Sequence, residues 1–537
     1  MKRKKSNSYW SDRANERMES YHKNSDKTVY RINNAHDKAI EDINSDIKKI
    51  FFKFQFDSGL SIKETKEILN SKIPKKELES IRSKINGIED VELKRTLMAQ
   101  INANAYKARI TRLEALKESI RINTAKVATV QLKQGELSYI NNINDAYYKN
   151  IYDIQKGTGL GFDFSPMPID RIEEVLKNNW SGKNYSERVW GNTEVLAKKL
   201  EEAITSGLMN GKSSKRMALE LAELSQYGKM ASERLIRTET TYITNDAELE
   251  SYKECDIEKY VFVATLDLRT STNCREMDGE CVDVSKGVAG ENLPPLHPWC
   301  RSTTIAYMGD EWYNNLKRRA RDPETGKSYT VPGNMKYDEW YKQNVVGKYG
   351  EQQAETFQNM IKNKASDRIQ YKKYKEILGK DVPKSFTDFR ELKYNNIEEW
   401  KLTKYNYKLK NGVKNNPKNI LENTDKFSVD ERKYTNYLFG GSNDQGLSKG
   451  KAFESRLGYT IDNFKELDIL IKDNIDKYPA ILKGDTLHGK KYEVNMVLRG
   501  LKNKQAKVKV GIMADDNGTR LTTVFIDKLK ESDLKYD

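Results

Sequence analysis

Apolar residues recur at three- and four-residue steps through roughly the first 250 positions of the chain. Ile40, Ile43, Ile47 and Ile50 fall on one helical face, and so do Leu113, Leu116 and Ile120. Gly59, Pro74, Gly87 and the GTGLGF run at 157–162 interrupt the pattern, which predicts hairpins of long helices with solvated charged faces. From about residue 258 the period changes. KYVFVATLD is a short β-rich run, and LPPLHPWCRSTTIAY closes on STTIAY, a returning strand. Residues 309–420 read as a helical, Tyr- and Lys-rich connector with loops at DPETGK and VPGNM, and NNPKNILENTDKF reads as a boundary. Beyond it, two or three helices (DERKYTNYLFG, KGKAFESRLG, NFKELDILIKDNI) precede the strands KKYEVNMVL, AKVKVGIMA and RLTTVFI. DDNG supplies a hairpin signal between the last two strands. The expected fold is therefore mainly α, built of long helical hairpins around a small α+β core, with a separate C-terminal α+β domain holding an antiparallel sheet. The expected boundaries are 1–160, 161–308, 309–420 and 421–537.

Composition narrows the partners. A chain of 537 residues is too long for one core. Its net charge of +15, spread over many lysines, favours polyanionic neighbours, nucleic acid first among them. A lysine-rich background composition explains the same figure. No base-reading module is visible, so contact with double-stranded DNA is expected at the phosphate level and should be salt-sensitive. The start, MKRKKSNSYWSDR, is basic but has no apolar run behind it, which predicts no secretory leader. No stretch approaches about 18 uninterrupted apolar residues, so no membrane partner is expected. A chain kept in the cytoplasm, or packed into something assembled there, favours metal ligation over disulfides for its four cysteines.

Three of those cysteines cluster with a histidine. Cys274, Cys281, His297 and Cys300 offer three thiolates and one imidazole, a tetrahedral set for one structural zinc ion. His297-Pro-Trp-Cys300 is a tight knuckle, whereas the Cys274–Cys281 gap is wider than usual. In the alternative reading His297 bonds a backbone carbonyl and the cysteines are small buried hydrophobes. A Cys–His nucleophile is disfavoured, because a pair with only two residues between them on one turn has poor geometry and no oxyanion element is visible. Cys255 reads as core. Arg237 and Glu239 read as a helix-borne ion pair orienting the following strand, and Trp180 and Trp190 as packing anchors.

RLIRTETTYI, DLRTSTNCREMDGE and LPPLHPWCRSTTIAY, in that order, resemble the phage Mu F-like head morphogenesis domain. The likeness rests on Arg237–Thr238–Glu239, on Asp267 to Cys274, and on Pro294 to Arg301. NNWSGKNYSERVWGN, with Trp180, Tyr185, Arg188 and Trp190, is similar to the same family. YWSDRANER and RRARDPETGKSY…YDEWY resemble minor head proteins of phages of Gram-positive hosts. The resemblance spans roughly 8–420. Glu280–Cys281 departs from the family pattern, so a fourth ligand there is not implied by it. The resemblance implies a minor head (minor capsid) protein, made in the host cytoplasm and housed in the virion interior. It would be associated with the portal, the major capsid protein and packaged DNA, and would act in head morphogenesis or early DNA ejection.

The last segment looks like small domains at the ends of bacterial polymorphic toxins, of the barnase–EndoU–colicin–RelE type, which implies a metal-independent ribonuclease. Cleavage through a 2′-hydroxyl needs a base, an acid and cations around the phosphate. The candidates are His488 in a loop, Lys449 and Lys451 opening a helix, Arg499 ending a strand, and Thr522 with Thr523 on the last strand. Such a toxin implies host RNA as substrate and an immunity protein as partner. An interaction or decoration module without catalysis would show the same pattern, and a virion-delivered toxin whose enzymatic domain is the main function is the third reading.

Overall fold

The computed structural model describes residues 8–54, 62–103, 111–158, 164–421, 424, 427–515 and 518–534. The chain divides into two compact units, Met1–Gly350 and Glu351–Asp537. The expected connector at 309–420 is thus shared between them.

The first unit opens on α1 (Ser8–Phe54), α2 (Ile62–Asn70), α3 (Lys75–Asn86), α4 (Val91–Asn102) and α5 (Arg112–Thr158). It continues with α6 (Ile169–Lys177), α7 (Tyr185–Met209) and α8 (Ser214–Glu254). At 47 residues each, α1 and α5 run for about 70 Å. The predicted stripes meet as expected. Ile43 and Ile47 of α1 pack with Leu116 and Ile120 of α5 and with Leu200 and Leu221 of α7 and α8. Local chemistry sets the helix ends: Asn184 and Glu187 form a reciprocal capping box before α7, and the Ser213 hydroxyl accepts the Arg216 N–H at the head of α8. Gly228 is required by close packing, since a Cβ there would meet Leu196 at 2.8 Å and His36 at 2.9 Å. A polar seam crosses the bundle. Buried Arg17 of α1 reaches Asp153 and donates to Asn150 of α5 and to Glu248 of α8, and Glu248 also accepts the Thr303 hydroxyl. Of the expected helix breakers, Gly59 and most of 157–162 lie outside the described residues.

On this bundle sits a small sheet of β1 (Lys259–Val263), β2 (Cys281–Asp283) and β3 (Thr303–Ala306), with the short α9 (Thr272–Met277) between β1 and β2. β1 is central and pairs antiparallel with both neighbours, Val261 lying opposite Cys281 and Ile305. This is the predicted β-rich run with its returning strand. After α10 (Asp310–Asn314) the chain departs from the helical expectation, because β4 (Lys317–Arg321) and β5 (Ser328–Pro332) form a hairpin over the DPETGK turn. The alternation of β4 was masked because an arginine takes an inward position. Arg318 is 3% exposed and donates to Asp278 (2.9 and 3.0 Å) and to the Met335 carbonyl. α11 (Tyr337–Trp340) then closes the unit with buried Tyr337 and Trp340.

The second unit begins with α12 (Glu351–Lys362), α13 (Lys364–Leu378), α14 (Phe386–Asn395) and α15 (Ile397–Asn415). Strand β6 (Phe427–Ser428), α16 (Asp444–Leu457) and α17 (Phe464–Lys472) follow. The chain then runs through β7 (Ala480–Thr486), β8 (Gly489–Arg499), β9 (Gln505–Asp515) and β10 (Gly518–Asp527) to α18 (Glu531–Leu534). The sheet order is β6-β10-β9-β8-β7, antiparallel except for the β6–β10 pair. Val494, Met496, Val508, Val510 and Ile512 line one face and pack on Phe453, Leu457, Leu467 and Ile471. The three predicted strands are β8, β9 and β10. Asp515 and Gly518 pair at the predicted hairpin, whose Asp516 and Asn517 lie outside the described residues. Edge strand β7 was not anticipated: Ile481 and Leu482 are exposed, and its register with β8 breaks between Leu482 and Gly484. The architecture is mainly α with a small α+β core and a C-terminal antiparallel α+β region, as the pattern predicts.

Candidate functional site

The site grows from the middle of α8, where residues of three segments converge. Thr241 donates its hydroxyl to the Cys300 carbonyl (2.8 Å), and the Thr238 hydroxyl accepts the Trp299 N–H (3.1 Å). The helix thereby grips the His-Pro-Trp-Cys loop by its backbone. The loop is tight: the Cys300 N–H bonds the His297 carbonyl at 3.1 Å, and Trp299 is held at φ 66°, a conformation non-glycine residues rarely adopt. Facing the loop is α9, whose N-cap Ser271 accepts the Cys274 N–H.

This framework brings together Cys274, His297 and Cys300. Their ligating atoms all lie within 4.8 Å of one another, with Cys274 Sγ 3.3 Å from His297 Nε2 and 3.6 Å from Cys300 Sγ. His297 Nδ1 donates to the Pro298 carbonyl at 2.7 Å, which leaves Nε2 with its lone pair toward the thiols. The hydrogen bond from Cys274, with His297 beside it, holds the Cys300 thiol well below the usual range. Cys274, as the donor, is pushed up. Cys281 does not join them: it opens β2 and is exposed. Cys255 is 2% exposed at the end of α8, its thiol pushed up to about 11 by burial, as a core cysteine should be.

Next to the cluster lies Asp267, 3% exposed, clamped by Arg301 through two hydrogen bonds (2.6 and 2.8 Å) and by Arg269. Burial alone would raise this carboxyl, but the hydrogen bonds and charge of Arg301 and the charge of Arg269 hold it down at about 2. His297, Cys300 and Arg301 also line an open cleft of about 890 Å³, together with Arg237, Arg269, Arg319, Arg321 and Lys23. Five of these six cations are paired with carboxylates: Lys23 with Glu19, Arg237 with Asp26 and Glu233, Arg319 with Glu16 and Glu19, and Arg269 and Arg301 with Asp267. Arg321 has no acidic partner among the described residues. His22 also borders the cleft, and neither of its ring nitrogens has a hydrogen-bond partner. Burial, then the charges of Arg237 and Arg301, push its pKa down to about 4.

Behind the cleft, the predicted Arg237–Glu239 pair is not formed. Residues two apart on a helix point to different faces. Arg237 bonds Glu233 and Asp26, while Glu239 accepts from Arg188 (2.9 Å) and Trp180 (3.2 Å). Glu239 is 4% exposed, and burial, opposed by Arg188, pushes its carboxyl up to about 7. Trp180 stacks on Tyr242 with ring centres 5.3 Å apart, a packing role as expected.

In the second unit the proposed ribonuclease residues do not form one site. His488 is exposed in the β7–β8 turn, and Arg499 ends the same β8 strand, bonding Asn503 (2.9 and 3.1 Å). An eleven-residue strand separates them by about 30 Å. Lys449 donates to the Tyr437 hydroxyl and lies over the Phe525 ring, Lys451 is exposed on α16, and Thr522 is exposed at a register shift of β10. The charged lattice on the sheet face opposite the apolar core, where α15 and α18 pack, was not foreseen: Glu493 meets Lys483 and Lys509, and Asp527 meets Lys507 and Lys509.

Residues 198–305, which build α8, the sheet and the Cys–His loop, match the family model described as Phage Mu protein F like protein. Over that segment the chain is similar to this family. Residues 420–528 match a domain of unknown function, DUF6883. Over 218 residues the chain is 26% identical to a protein of Enterococcus faecalis named NAD(+)--arginine ADP-ribosyltransferase EFV, covering 37% of this chain and 42% of that protein. No solved structure matches. Among the described residues no helix is long and apolar enough to cross a membrane.

Proposed function

We propose that this protein is a minor head protein of a phage particle, its first unit docked near the portal and the major capsid protein and holding packaged DNA by its phosphates. The observation that carries this reading is the cation-rich cleft. Its walls at Glu233, Arg237, Arg269 and His297–Arg301 belong to the Mu F-like segment, with Arg319 and Arg321 of the β4–β5 hairpin added. Guanidinium groups gathered from separate segments suit phosphate oxygens and carry no base preference. Mass spectrometry of purified particles tests it. Peptides from both units in DNA-filled heads are expected, and their absence from particles overturns the assignment.

A second reading concerns the second unit. A relative named as an ADP-ribosyltransferase supports the idea that a chain with a Mu F-like domain carries an effector. On this reading the second unit is cargo that acts in the host and needs an immunity protein. Expressing the full chain beside a chain ending at residue 350 tests it. Growth arrest confined to the full chain is expected, and equal growth of both strains refutes it. Intact host RNA during arrest would exclude a ribonuclease and leave another toxic activity.

A further inference from the structure

We infer that Cys274, His297 and Cys300 bind one zinc ion, with a fourth coordination position that opens on the arginine-lined cleft. Zinc prefers four ligands in a tetrahedron, at about 2.3 Å to sulfur and about 2.0–2.1 Å to nitrogen. Those lengths fix the tetrahedron's edges at about 3.8 Å between two sulfurs and about 3.5 Å between sulfur and nitrogen. The observed edges are 3.6 Å and 3.3 Å. Two of the three edges are therefore within about 0.2 Å of those a metal polyhedron requires, and the third, from His297 Nε2 to Cys300 Sγ, lies within 4.8 Å.

The support around the donors points the same way. A ligating histidine almost always gives its second ring proton to an oxygen acceptor, which fixes the tautomer and aims the free nitrogen. His297 does this through Nδ1 to the Pro298 carbonyl. Cys274 is held by the Ser271 cap and Cys300 by Thr241 of α8, so the three donors are positioned by elements on both sides of the loop. Cys281 stands apart on β2 and is not a ligand.

No further histidine, cysteine or carboxylate joins the group among the described residues. A site of three protein ligands keeps its last position for water or substrate. Two of the three, His297 and Cys300, line the cleft with Arg301 and Arg269. The ligand class for that position is an anionic oxygen: hydroxide from solvent, or one oxygen of a phosphate seated among the guanidinium groups. The inference rests on the cluster's geometry and is independent of the virion role.

The test uses the full chain, purified under reductant without chelator. Elemental analysis should give about one zinc per chain. Replacement by cobalt should give thiolate-to-cobalt charge-transfer absorption, with visible bands that shift when inorganic phosphate is added. Cys300→Ser and His297→Ala should lower metal content at least tenfold, and Cys281→Ser should leave it unchanged. His297→Cys supplies a measurement that does not depend on losing the site: it should keep the metal and raise charge-transfer intensity by about half, for a third thiolate. A wild-type chain that holds no zinc and gives no charge-transfer band with cobalt overturns the site. So does Cys281→Ser losing metal as fully as Cys300→Ser. Cobalt bands indifferent to phosphate overturn the open fourth position.

Discussion

At the scale of single residues, the acids of the first unit set its response to pH. Asp267 has a folded pKa of about 2 against an ordinary 3.8. Its contribution is therefore complete above about pH 4 and is lost as pH falls from there toward 2. Asp267→Asn should destabilise the unit by about 3 kcal/mol at neutral pH, because Arg301 and Arg269 lose their counter-charge. The same variant should show a shallower acid limb when unfolding midpoints are followed down to low pH. Glu239 acts with the opposite sign. Its folded pKa of about 7 stands above an ordinary 4.5, so the native state holds a proton that the unfolded chain gives up between those values. Stability from this group falls as pH rises from about 4.5 to 7, and Glu239→Gln should flatten that decline in a series of thermal melts. The sequence named Glu239 but gave it the wrong partner. Arg188 lies 51 residues away, and only the packing of α7 against α8 brings it near.

At the scale of elements, the long helices and the last three strands were legible because their apolar period is unbroken over many residues, as Ile43 and Ile47 or Val508 and Val510 show. The β4–β5 hairpin was not, since Lys-Arg-Arg-Ala-Arg carries its inward position on a buried arginine. The His-Pro-Trp-Cys knuckle could be read directly as a tight loop because His297 and Cys300 are three positions apart. Cys281 misled for the converse reason, as nearness to Cys274 in sequence says nothing of the strand that carries it outward. The arginine cleft had no local signature, its cations coming from α1, α8, two loops and a hairpin. Helix α16 illustrates a constraint hidden in composition. Gly450 lies between the two lysines proposed as catalytic, and a Cβ there would stand 1.9 Å from the Leu438 carbonyl oxygen. Gly450→Ala should lower the stability of the second unit by about 2–3 kcal/mol, or deny it a cooperative transition, in urea titrations followed by tryptophan fluorescence.

At the scale of the whole molecule, a basic chain meets a polyanion with a dependence on salt that reports where the contact lies. If duplex DNA enters the cleft, reversing charge at Arg319 and Arg321 together should weaken binding of the full chain. It should also reduce the slope of log affinity against log salt by about two. An unchanged slope would put the DNA elsewhere on the surface. The register break in β7 has a consequence for solutions of this protein. An outermost strand with exposed Ile481 and Leu482 is a template on which a second copy can add its own edge. The irregularity between Leu482 and Gly484 interrupts that template, and Lys483, half exposed and leaning toward Glu493, sets a charge at its centre. A chain with Lys483 deleted, its ladder made regular, should form fibrous aggregates, monitored by turbidity, at concentrations where the parent is expected to stay clear.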